Sequence, residues 1–106
     1  MVSLGDFRKM ELVIAQIKEA NDHPDADRLY VLKVDLGSET LQLVAGIKKC
    51  YTKEQFIGRR VVIIKNLEPA VIRGVESQGM LLAASDEQGP AILTPDREVP
   101  LGVTVK

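Results

Sequence analysis

The sequence predicts an all-β fold, mainly strands with short helices, and three observations carry that reading. Apolar runs of strand length recur between residues 11 and 85, clusters of Gly, Pro, Asn, Asp and Ser separate them, and one segment among them carries helix-capping signals. With 45% hydrophobic residues in 106, the chain can build one core without disulfides or metal, so residues 1–106 are read as a single domain.

The first strand is LVIAQIKEA (12–20), the turn-forming NDHPDAD follows it, and LYVLKVDLG (29–37) is the second strand. After the polar GSE turn, TLQLVAGI (40–47) is the third, with Gly46 placed for a bulge or a close backbone approach. TKEQFIG (52–58) then reads as a short helix: Thr52 is an N-cap, Glu54 and Gln55 lie in the first turn, and Gly58 terminates it. RRVVIIKNL (59–67) and SQGMLLAAS (77–85) supply strands four and five, joined by EPAVIRGVE, in which proline and glycine break regular structure. Three strands, a short helix and two strands is the order of a five-stranded OB-fold Greek-key barrel, here spanning about 11–85. Such barrels meet their ligands on the face of strands two and three and on the loops joining strands one to two and four to five, here NDHPDAD and EPAVIRGVE.

Both ends exceed the barrel. GDFRKMEL can form a helical turn with Asp6 near its start, and the C-terminal extension, 86–106, alternates Val99, Leu101, Val103 and Val105. That apolar row needs burial, either beneath its own barrel or in a subunit interface.

The net charge of −1 conceals a segregated distribution. Residues 28–73 carry nine cations against four anions, and the remainder five cations against eleven anions. Ordinary solvated surface and a footprint for a polyanion both fit this asymmetry. Cys50 stands alone, which excludes an intrachain disulfide and a multi-cysteine zinc site and points to a reducing, cytoplasmic setting. The N-terminus lacks a signal-peptide core, and runs such as VVII are too short to cross a bilayer, so a soluble protein without a membrane partner is expected.

HPDADR (23–28) holds the only histidine and could be a metal site, an acid/base pair or a turn. Pro24 restricts His23, Asp25 and Asp27 are turn acceptors, and no second histidine or nearby cysteine completes a metal set, so a solvated turn is expected. No catalytic residue, metal or cofactor is assigned, and no GxxxxGK[ST] or GxGxxG is present. With Phe7, Tyr30, Tyr51 and Phe56 as the only aromatics, a stacking platform for single strands is weakly supplied. A folded nucleic acid read by backbone and shape remains compatible, and transfer RNA is such a ligand.

HPDADRLYVLKVDLG, VAGIKKCYT, FIGRRVVIIKNLEPA and RGVESQGMLLAA, in order over most of 11–85, resemble the tRNA-binding domain of methionyl-tRNA synthetases, found appended to the enzyme or free-standing. RGVESQGM favours that branch over a more distant export-related chaperone family. The resemblance implies an OB-fold homodimer, with dimerisation extensions at both ends, that binds tRNA by its folded shape at the outer corner. It would be an auxiliary domain or β component of the synthetase, with aminoacylation carried out by a separate catalytic subunit or domain. Carried over by position, the tRNA surface is Lys33, Lys65, Asn66, Arg73, Ser77, Gln78 and Met80, with Arg28, Lys48 and Lys49 as electrostatic additions. Val99, Leu101, Val103 and Val105 would lie in the dimer interface. Met80 is also explained by core packing, and Ser77 and Gln78 by satisfying turn backbone. Val71 and Ile72 stand where many relatives carry a basic residue, which lowers the charge of that loop. The competing readings are a chaperone binding unfolded polypeptide on the same kind of barrel and, more remotely, a hydrolase without a recognisable signature.

Overall fold

A long strand that pairs on both edges organises the molecule. In a computed structural model, which describes residues 1–106, β1 (Leu12–Asp22) pairs antiparallel with β4 (Arg60–Ile64) along Leu12–Gln16 and with β2 (Tyr30–Asp35) along Gln16–Asp22. β2 continues to β3 (Thr40–Ala45), giving a five-stranded sheet in the order β3-β2-β1-β4-β7, with β7 spanning Met80–Leu81. This is the nearly closed antiparallel barrel expected of an OB-fold. The bulge lies in β1, between Ile17 and Glu19, whereas β3 ends at Ala45 and Gly46 follows it without one.

β1 and β4 are apolar on both faces because each faces two cores. Val13, Ala15, Ile17, Val61 and Ile63 point into the barrel with Leu32, Val34, Leu43 and Phe56. Leu12, Ile14, Val62 and Ile64 form a second cluster outside it, covered by Phe7, Leu82, Val99, Leu101, Val103 and Val105. The C-terminal row therefore packs on its own barrel. Its backbone follows: the N–H groups of Gly102 and Val105 donate to Ile14 and Leu12 at 2.8 Å, and Val103 accepts from Ile14 at 3.1 Å. The tail thus takes the edge of β1 that β2 leaves free, so its apolar side chains fall on the covered face.

Helix α1 (Leu4–Arg8) starts at Ser3, whose Oγ accepts from the Asp6 N–H, and buries none of its residues. Helix α2 (Lys53–Phe56) has Thr52 and Gln55 in a reciprocal capping box and places fully buried Phe56 under the barrel. Gly58, at φ +93°, turns the chain into β4.

The EPAVIRGVE connection is more regular than the sequence predicts. Ala70–Ile72 (β5) and Val75–Ser77 (β6) form a hairpin across Arg73 and Gly74, with φ of 51° and 87°. Two successive positive φ values give the turn the twist that flanking strands require, so the glycine read as a breaker is a hairpin turn residue. The predicted strand five divides: β7 ends at Leu81, and β8 (Ala83–Asp86) pairs instead with β9 (Gly89–Ile92).

Between β3 and β7 side chains replace a backbone ladder. Gln78 donates its N–H to the Gln42 carbonyl and accepts the Gln42 N–H on Oε1, both at 2.7 Å. Ser77 accepts the Val44 N–H on Oγ and donates to Gly79 O, each at 3.0 Å. Gly79 allows β7 to lie between β4 and β3, since a Cβ there would lie 2.5 Å from the Ile64 carbonyl oxygen of β4 and 3.2 Å from Leu43 of β3.

Candidate nucleic-acid interface

The fold brings the β1–β2 loop beside the β5–β6 hairpin, as the sequence-based placement of the ligand loops requires. The positions of Arg28 and Arg73 follow from local chemistry. Pro24, Asp25 and Asp27 turn the loop after His23, and the left-handed geometry of Arg73 puts its side chain back over that loop, where Nη2 donates to the Asp25 carbonyl at 2.9 Å. Arg28 and Arg73 line an open cleft of about 430 Å³ with Asp25, Ala26, Asp27 and Leu29. Arg28 also borders a second depression with Lys49, Cys50 and residues of the β8–β9 turn. Cations from three separate parts of the sequence thus share one stretch of surface, with Asp25, Asp27, Asp86 and Glu87 among them.

Next to this cleft, β2 and β3 present a polar network. Lys33 is half-buried and donates from Nζ to Gln42 Oε1 at 2.7 Å, while Gln42 Nε2 donates to the Glu76 carbonyl at 2.8 Å. Lys33 is therefore held over the sheet by β3 and the hairpin. Gln42 was not singled out from sequence, although its place between Leu41 and Leu43 in an alternating strand marks it as facing away from the core.

The remaining candidates differ in their freedom to meet a ligand. Ser77 is buried, and both Ser77 and Gln78 use their polar groups in closing the barrel. Asn66 accepts the Glu11 N–H and donates to Lys9 O, both at 2.8 Å, tying β4 to the N-terminal segment. Lys65 lines a depression with Arg8, Glu11 and Thr104. Met80 is 46% exposed, at the rim of an apolar depression with Val44, Leu81 and Leu82. Lys48 pairs with Asp22 at 3.1 Å, and Lys53 joins the same carboxylate at 3.3 Å. Hydrogen bonds from Lys48 and then Lys53 hold the Asp22 carboxyl below its ordinary value of 3.8.

His23 departs from the solvated turn expected of it. The ring is 5% exposed, Nδ1 accepts the Asp25 N–H at 2.9 Å, and Nε2 lies 2.9 Å from the Ile72 carbonyl oxygen. The Asp25 N–H can only donate, which puts the ring proton on Nε2 and makes it the donor to Ile72. Both nitrogens are engaged, and no three His, Cys, Asp or Glu side chains gather as a metal site.

Residues 12–104 match the family described as "Putative tRNA binding domain". The chain belongs to the tRNA-binding domain family. Over 105 residues it is 59% identical to the methionine–tRNA ligase of Thermococcus kodakarensis, covering 99% of this chain and 14% of that enzyme. A methionyl-tRNA synthetase-related protein of known structure from Pyrococcus horikoshii superposes with a TM-score of 0.92 at 32% identity, covering 100% of this chain and 98% of that one. The CsaA chaperone protein of Picrophilus torridus superposes equally well, at 0.92 with 28% identity and full coverage of both chains. This chain thus resembles part of a ligase in sequence, and in fold both the synthetase-related protein and the chaperone. No helix of the chain is long and apolar enough to cross a membrane.

Proposed function

We propose that this domain binds folded tRNA as a noncatalytic auxiliary of methionyl-tRNA synthetase, either as part of the enzyme or as its separate β component, in the cytoplasm. The observation that carries this reading is the convergence of Arg28 and Arg73 from the β1–β2 loop and the β5–β6 hairpin, in a chain whose family match extends from residue 12 to 104. The site offers the Arg73 guanidinium, held by the Asp25 carbonyl, the exposed Arg28 side chain, and the ammonium groups of Lys33 and Lys49 over the sheet. That arrangement suits phosphates whose positions are set by a folded backbone, and it offers no aromatic platform for splayed bases. Lys48, Lys65 and Met80 lie at its margins, whereas Asn66, Ser77 and Gln78 support it from within the fold.

The domain works as a homodimer in this proposal. Val99, Leu101, Val103 and Val105, which cover the outer cluster, are themselves only partly buried, and Met1, Val2, Leu4 and Met10 are exposed at the N-terminus. A twofold pair that buries these two patches would present two copies of the cationic surface to one RNA.

Titration with folded tRNA, heat-unfolded tRNA and a denatured protein tests the function. Preferential binding of folded tRNA is expected. Preferential binding of the denatured protein would replace this reading with the chaperone one that the likeness to CsaA raises.

A further inference from the structure

We infer that His23 is a positioning residue for the RNA surface: its imidazole latches the β1–β2 loop to the β5–β6 hairpin and so fixes Arg28 relative to Arg73. The inference rests on the tRNA reading above but adds a residue that does not itself meet the ligand. Three bonds converge on His23. Its N–H donates to the Leu29 carbonyl at 3.1 Å and closes the neck of the loop, Nδ1 accepts the Asp25 N–H, and Nε2–H donates to Ile72 O, 49 residues along the chain. Ile72 immediately precedes Arg73, and Asp25 is the residue whose carbonyl receives the Arg73 guanidinium. The ring thus ties together the two residues that set the Arg73 position from either side.

Apart from the Arg73 bond to Asp25, made by the flexible side chain being positioned, the hairpin has little else to hold its tip. Its strands pair with each other rather than with the barrel sheet, and the Gln42 bond to Glu76 and the Ser77 contacts lie toward its base. A hairpin free to swing would present Arg73 at variable distances from Arg28, and ordering it on RNA would reduce affinity.

The two functions of the ring can be separated by substitution. His23→Asn keeps an acceptor for the Asp25 N–H, as in an Asx turn, but is too short to reach Ile72. His23→Gln keeps a donor near the Nε2 position and lacks the short acceptor. With both proteins folded as judged by circular dichroism, His23→Asn should lose about tenfold in tRNA affinity, as expected for one lost inter-loop bond, while His23→Gln stays within about threefold of the unmodified chain. Amide hydrogen exchange in the hairpin, measured without RNA, should quicken in His23→Asn and stay slow in His23→Gln. If His23→Asn does not fold, His23→Ser replaces it, since serine keeps a turn acceptor and cannot reach the hairpin. The opposite pattern, or equal behaviour of the two variants in affinity and exchange, would overturn the latch. Failure of the unmodified chain to bind tRNA would overturn the function instead, leaving the exchange comparison to decide the latch alone.

Discussion

Gln78 meets Gln42 as a neighbouring strand would, with its backbone N–H and its side-chain oxygen taking the places of a ladder donor and acceptor, both at 2.7 Å. The barrel is closed at this seam by the side chains of Gln78 and Ser77 and one backbone bond. Gln78→Ala should leave the half-buried Gln42 N–H without its partner and lower stability by about 1 kcal/mol or more. Gln78→Glu, which keeps the acceptor oxygen, should lose less. Thermal melts of the two variants check this, and equal melting temperatures would show that water replaces the side chain without cost.

Binding of tRNA should weaken steeply with salt. If three to six phosphates are neutralised, the slope of log K against log salt should be roughly −2 to −5, taking about 0.7–0.9 per phosphate as a guide for folded RNA. Arg73→Ala and Lys33→Ala should each make the slope shallower by nearly one and weaken different tRNAs alike. Affinity and slope unchanged in both would mean that the RNA sits elsewhere.

The Asp22 carboxyl, held low by Lys48 and Lys53, gives a pH signature. A folded value below the unfolded one means that the ionised form contributes stability above about pH 4, where the unfolded carboxyl is ionised. The contribution is lost as pH falls through the folded value. Carboxyl titration by NMR should find the folded midpoint below the denatured one, and Lys48→Ala should raise it more than Lys53→Ala. Concentrated salt should narrow the gap, because the groups are solvent-exposed.

Association should depend on the exposed N-terminal patch. Leu4→Asp is expected to yield monomers without changing the intrinsic stability of the fold, because Leu4 is 62% exposed. Leu101→Asp should be worse, costing about 2 kcal/mol or more through loss of packing on the outer cluster, in addition to any loss of dimer. Sedimentation across a range of concentrations distinguishes them. An unmodified chain that remains a monomer throughout would remove the dimer from the proposal.

What the sequence made legible was what neighbouring residues decide. The strand order followed from apolar runs, and the α2 start followed from Thr52 and Gln55, which cap each other three residues apart. The Arg73–Gly74 turn was missed because proline and glycine nearby were read as breakers, although a positive φ at a hairpin turn needs such a glycine. Family position marks Asn66, Ser77 and Gln78 as ligand contacts, with turn backbone as the other reading of Ser77 and Gln78; the particular backbone groups their polar atoms engage are ones that only the folded barrel brings near. His23 was the hardest to read: Pro24 and Asp25 marked its turn, while the carbonyl that explains its burial lies on a hairpin far along the chain. Charge and family position mark Arg28 and Arg73, and only the fold brings them to one cleft.

The pairing of β1 on both edges also sets an order of events. Its contacts with β2 close a short loop, whereas pairing with β4 must wait for α2 and β3 to be in hand, and the tail cannot dock until both strands present the outer cluster. Loop-closure entropy therefore favours a β1–β2–β3 meander as the first structure, with the tail last. In rapid-mixing experiments, Leu32→Ala should slow refolding, and Val103→Ala should chiefly accelerate unfolding. A chain emerging from the ribosome forms its meander early, yet its outer face stays uncovered until residues 99–105 have been made.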